Sequence, residues 1–443
     1  MVAPSSFLAI AVCFVGLSDE PPRLTFDQTV DYIAWYNNYV RAGRIRNALD
    51  LYSELLDEKS PTGAHLKWPV GEAAKQFEAA LGKIWEPQTN VELARFLDSQ
   101  ERFIRIAKKA AMVRDFWHPC PAESPTLIAV IMPELAISRN ACKIVLVSAW
   151  RKQDKPAQAM LDAWQVVLRS AGQMQQCGLT IGVLVGLAER ALVYRDIRAA
   201  SAAGVLAPQD YAAAVALLEK DDPGAPDFRR AIMVEWATAL DLLQYVSPKG
   251  KPDVKRWGEL VRGVEKAMGS PDFKGQDAAF AALNPHDTAQ RIDAYFRELI
   301  TLTGDSPNRA SLHKIMAFEG RNETRLGDNP FMRFVIPSLA RSWQLMVRAE
   351  TERRATILLL GIHQYHAENG KWPGSLDQLK LANLATLRID LFSDADFKYA
   401  LIDEMPRLYS FGINEKDDGG NHDGKWGEAG GDHVFWPPPD IKE

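Results

Sequence analysis

The chain has 443 residues, enough for two or three units, each able to bury a core. Its 52 Lys and Arg against 57 Asp and Glu leave a net charge of −5. Lys and Arg read as scattered rather than gathered in stripes, and nothing in the balance points to nucleic acid.

Residues Phe7 to Leu17 form an uninterrupted apolar run. It falls short of the ~20 residues that span a bilayer, but it fits the apolar region of a secretory signal. Gly16 and Ser18 suit a small-x-small cleavage site, while no Lys or Arg precedes Arg23. The expectation is a signal peptide or N-terminal anchor over 1–20, with a buried N-terminal segment as the alternative. Export would place the protein in the periplasm or cell envelope, touching membrane only through this segment. Val12 stands where a lipoprotein signal at Cys13 needs a small residue. Cys120, Cys142 and Cys177 are too widely spaced for a zinc knuckle. They read as core cysteines, or as one disulfide pair and a leftover thiol.

A helical domain is expected over 21–337. Val30, Ile33, Tyr36 and Val40, then Ala48, Tyr52 and Leu55, predict a helical hairpin bent at Gly43. Its small and aromatic positions match a tetratricopeptide hairpin as well as an ordinary one. One helix is predicted from Pro87 to Asp115, then an extended connection through Phe116-Trp-His-Pro-Cys-Pro121. Four longer helices follow, over 135–151, 156–174, 179–202 and 208–218. Ala159 and Ala163 repeat the small positions of a hairpin. From 221 to 330, turn formers such as Ser247-Pro-Lys-Gly250 and Gly304-Asp-Ser-Pro307 divide short helices, with longer ones at 228–245 and 288–302.

Between Ser338 and Asn369 the only Gly or Pro is Gly361, so one long helix is predicted, closed by Gly370 and stopped by Pro373. Apolar residues surround it at 355–362 and imply neighbours on more than one side. Short strands are expected around Phe397–Tyr399, Leu408–Ser410 and Phe435. The fold class is therefore mainly α, with helical hairpins, followed by a small α+β module over 338–443.

The loop Gly412-Ile-Asn-Glu-Lys-Asp-Asp-Gly-Gly-Asn-His-Asp-Gly424, with Glu428 and Asp432 after it, is dense in oxygen ligands and glycine. That composition suits calcium, which takes six to eight oxygens in flexible geometry. It lacks EF-hand spacing, and a solvated acidic loop has the same composition. His363 and His366 lie on one helical face, where they are either paired metal ligands without a third or half-buried helix residues.

The run Tyr365-His-Ala-Glu-Asn-Gly-Lys-Trp-Pro373, then Ser375-Leu-Asp-Gln-Leu379, Ile389-Asp-Leu-Phe-Ser393, Leu408-Tyr-Ser-Phe-Gly412 and Asp432-His-Val-Phe435, resembles the globular domain of the type II secretion major pseudopilin. The resemblance implies a calcium ion stapling the loop between the final strands. Asn414, Asp417 and Asp418 would supply its first half and Asp432 its second. The segment from Asn421 to Glu428 is an insertion relative to that family's short loop. The module also follows a long helical region, so the chain is not an ordinary filament subunit. As a whole it is similar to large exported proteins of planctomycete-type bacteria.

No Gly-x-Ser-x-Gly elbow, P-loop or His-Glu-x-x-His motif occurs. The reading that follows is a non-enzymatic exported protein, a helical scaffold with a calcium-stabilised pseudopilin-like end, meeting protein partners of the envelope or secretion apparatus. Two other readings stay open. One is a hydrolase whose site forms between helices, for instance from His118, Glu134 and His286. The other is a peptide-binding helical repeat with a continuous groove.

Overall fold

The computed structural model describes residues 20–57, 59, 65–129, 132–221, 225–268, 275–304, 306–424, 426 and 430–438. Residues 1–19 of the expected signal segment, Cys13 among them, and Glu428 lie outside them.

The helical part opens with α1 (Tyr32–Arg41), α2 (Leu49–Leu56), α3 (Gly71–Ala79), α4 (Val91–Ser99) and α5 (Glu101–Ala111). Next come α6 (Pro133–Ala149), α7 (Pro156–Gln175), α8 (Thr180–Ala202) and α9 (Pro208–Lys220). Prolines open α6, α7 and α9, where the missing N–H costs nothing because that donor has no partner inside the helix. Two of the sequence expectations fail here. The single helix over Pro87–Asp115 is broken at Gln100, whose buried side chain accepts the Lys67 amide at 3.2 Å. The first hairpin also opens out: α1 packs on the later helix α10 (Ala225–Val246), while α2 packs on α5 and α6. A true hairpin forms between α7 and α8. It turns at Gly178, where φ is +79° and a Cβ would stand 2.9 Å from Val40 Cγ1.

After α10 the chain breaks into α11 (Val254–Met268), α12 (Asp277–Ala281), α13 (Pro285–Thr303), α14 (Arg309–Glu319), α15 (Asn322–Leu326) and α16 (Pro330–Val335). These short pieces follow the turn formers. Asn284, Asn308 and Asn329 cap α13, α14 and α16 through their side-chain oxygens.

The axis of the molecule is α17 (Leu339–Asn369), roughly 46 Å long at 1.5 Å per residue, ending on Gly370 in the left-handed conformation. It packs along α8, α9 and α14 and also carries the C-terminal sheet. Ile357, Leu358, Leu359, Leu360 and Ile362 are all fully buried, as neighbours on every side require. Gly361 admits close approach of Leu381, whose Cδ1 would lie 3.0 Å from a Cβ. Beyond α17 a short helix α18 (Leu384–Leu387) precedes β1 (Lys398–Ile402), β2 (Met405–Ser410) and β3 (His433–Trp436), an antiparallel sheet in the order β1-β2-β3.

The buried apolar residues form one cluster that passes from the helical part through α17 into the sheet, ending on Trp426, Phe435 and Trp436. Two arginines cover the junction. Arg198 of α8 lies over Phe435 and Arg348 of α17 over Trp426, at 5.8 and 4.9 Å, and Glu352 neutralises both at 3.9 and 3.1 Å. Cys120, Cys142 and Cys177 are buried free thiols. Among the described residues no helix is long and apolar enough to cross a membrane.

Candidate metal centre

The acidic loop leaves β2 at Ser410 and returns at β3, and two buried aspartates fix its ends. Asp390 accepts Ser410 Oγ at 2.9 Å, the Phe411 amide at 3.3 Å and the Phe392 amide at 3.1 Å, which ties the start of the loop to the preceding turn. Gly412 follows at φ +67°, packed so that a Cβ would meet Trp426 O at 3.3 Å.

Asp432 closes the loop. Its backbone N–H donates to Asn421 O and its carbonyl accepts from Asp423 N, both at 2.8 Å. Its Oδ2 accepts the amides of Gly420 at 2.6 Å and Asp418 at 3.1 Å. Its Oδ1 is buried and has no hydrogen-bond partner among the described residues. Burial pushes this carboxyl above the ordinary aspartate range. The Gly420 and Asp418 amides oppose that rise, and the negative charges of Asp417 and Asp418 add to it. A carboxylate oxygen without a donor, at the focus of two other carboxylates, is the electrostatic setting a divalent cation relieves.

The other expected ligands divide. Asp418 reaches Asp432 through its backbone, and its side-chain oxygen accepts Asn414 Nδ2 at 2.7 Å, so Asn414, Asp418 and Asp432 stand together. Asp417 faces the sheet, accepting Tyr409 Oη at 3.0 Å and the Gly419 amide at 3.1 Å, with Lys398 Nζ at 3.4 Å. Burial works against its ionisation, but those donors outweigh it and hold Asp417 below the ordinary range. Among the described residues no three His, Cys, Asp or Glu side chains converge as a metal-holding group. The loop brings together one buried carboxylate, one neighbouring carboxylate and an amide, three of the six to eight oxygen ligands that calcium takes.

Two residues of this loop carry more than sequence reasoning gave them. Trp426, in the loop between β2 and β3, is fully buried, with its ring stacked on His433 and set among Phe392 and Phe435. A tryptophan amid Gly and Asp was the available signal. Glu415 pairs with Arg309 and His313 of α14 and so ties the loop to the helical part. Next to that clamp a cleft of about 190 Å³ opens between Leu312, Met316, Phe392 and Ile413, its rim occupied by the His313–Glu415 pair.

Of the three residues considered for an enzyme site, two meet and one stands apart. His118 Nε2 lies 3.2 Å from Glu134 Oε1, and burial raises that carboxyl to about 7 and lowers the imidazole. His286 stands apart from them, against Phe26 and Gly250. His363 is buried in an aromatic box of Tyr211, Trp372 and Trp436, and burial, with His366 beside it, brings its pKa down to about 4. His366 itself stacks on Trp372 at 3.9 Å. Both are packing residues. Comparison of the chain with protein-family models, curated proteins and solved structures gives no match.

Proposed function

We propose that this chain is a non-enzymatic exported or envelope-associated protein, a helical scaffold whose C-terminal module takes a calcium ion into the loop between its last two strands and serves interaction or envelope structure. The observation that supports the calcium part of the reading is Asp432, fully buried, with one oxygen anchored by two loop amides and the other without a donor among the described residues. Asp432, Asp418 and Asn414 would hold the ion, and Asp417 would contribute field from its place beside Tyr409. A hard cation supplies the charge that three neighbouring aspartates lack and fixes a glycine-rich backbone. Because Asp432 must be ionised to bind, affinity falls as acid protonates it.

Calorimetry of the full chain with calcium tests this. Binding that disappears in Asp432→Asn supports the reading; heat that is absent at millimolar calcium, or unchanged in that variant, overturns it.

A further inference from the structure

The exposed face of α5 gathers what the linear sequence appears to scatter. Arg102, Arg105, Lys108 and Lys109 are all exposed on one side of the helix, while Phe103, Ala107, Ala110 and Ala111 bury the other against α2, α6 and α7. Arg169 of α7 extends the stripe, its Nη1 3.2 Å from Met112 Sδ, and Arg114 follows the helix end. On a chain of net charge −5 this is a concentrated positive surface.

Acidic neighbours barely offset it. Glu101 approaches Arg105 only to 4.0 Å, and Asp115 approaches Arg114 to 3.7 Å. Asp98 is taken by Arg151 at 3.0 Å, and Asp162 accepts from Gln158 at 2.9 Å. Among the described residues no ion pair joins Asp50, Glu54 or Asp57 of the α2 region to α5, and Arg102, Lys108 and Lys109 have no acidic partner within 4 Å.

Apolar side chains stand out of the same surface. Met112, 44 % exposed, sits between the lysines and Arg169. Ile45, 93 % exposed, sits in the α1–α2 connection, where its amide donates to Asp115 Oδ2 at 3.1 Å, just past the end of α5. Arg46 is exposed beside it. We propose that this face, the α5 cationic stripe with Met112 and Ile45 at its end, docks on an anionic lipid bilayer. The stripe's exposed face from Arg102 to Met112 offers no Asn, Gln or aromatic ring to read or stack a base. A bilayer asks only for cations at the headgroups and a few apolar side chains to sink beneath them.

The test is co-sedimentation of the full chain with vesicles of phosphatidylglycerol in phosphatidylcholine, read against pure phosphatidylcholine. That ratio removes whatever an apolar N-terminal segment contributes to both. The wild-type chain should prefer the anionic vesicles, and the preference should fall with salt. The double variant Lys108→Glu, Lys109→Glu should lose at least about tenfold of it, since each cation near such a surface is worth about fivefold. Lys251→Glu with Lys255→Glu, the same charge change elsewhere, should retain it, and an unchanged thermal melt of the α5 variant shows that the fold survives. Ile45→Ser should weaken the binding that persists at high salt. Equal partitioning to both vesicles overturns the proposal. So does equal loss in the control pair, or binding to double-stranded DNA without binding to vesicles.

Discussion

Trp426 lies flat on His433, their ring centroids 3.8 Å apart and their planes 12° from parallel. The loop between β2 and β3 thus works as a plug, the Trp426 indole covering the first residue of β3 while Arg348 covers the indole. Removing it empties a site with no other filler. Trp426→Ala should cost about 3–5 kcal/mol of stability. Hydrogen exchange should show Val434 and Phe435 losing protection, while α13 keeps its own. Unaltered exchange in β3 would mean that the plug is ornamental.

Calcium at 100 times its dissociation constant should stabilise the full chain by about 2.7 kcal/mol and so raise its thermal midpoint. Asp432→Asn and Asp418→Ala should each blunt the shift. Asp417→Asn should leave most of it, because that carboxylate is turned toward Tyr409 and Lys398. A variant order with Asp417 foremost would mean that the loop closes differently around the ion.

Four buried carboxyls of the helical part make stability depend on pH. Burial raises Glu189 and Glu134 to about 7, and Asp196 and Asp241 to about 6. In the unfolded chain such groups titrate near 4. The folded state therefore holds more protons between those limits, so their contribution is complete below about pH 4 and is lost as pH rises toward 7. The melting temperature should be higher at pH 5 than at pH 8. Glu189→Gln, which can still accept from Ser138, should flatten part of that slope. A slope identical to wild type would show that Glu189 stays ionised.

Gly361 separates two effects of size. Gly361→Ala adds a methyl 3.0 Å from the mobile end of Leu381, and a helix propensity gain of about 1 kcal/mol offsets the crowding. Gly361→Leu has no such room and should destabilise by about 1–3 kcal/mol. Chemical denaturation of the two variants distinguishes them.

Helix ends marked by covalent geometry could be read from the chain: Pro156 and Pro208 begin α7 and α9, and Gly370 ends α17. The break at Gln100 could not, because no Gly or Pro marks it and the partner of its side chain, the Lys67 amide, is brought there only by the tertiary fold. The opening of the first hairpin is likewise tertiary, since the partner of α1 is α10, far along the chain. Within the loop, Asp432 stood out only through the pseudopilin resemblance, and its burial and its bonds to the Gly420 and Asp418 amides arise from the closure of the loop. The turn of Asp417 toward the sheet depends on Tyr409 and Lys398, which only the pairing of β1 with β2 brings near. The α5 stripe went unread because its cations, viewed along the chain, alternate with apolar residues.

The long helix α17 also sets an order of events. During synthesis, α8 and α9 leave the ribosome well before residue 339, and until then the surfaces they later close on α17 face solvent or chaperone. The nascent chain therefore cannot complete its core early, and contacts so distant in sequence close slowly. A premature stop anywhere before Leu339 would leave not a smaller protein but an open one, exposed to proteases along the whole groove where α17 belongs.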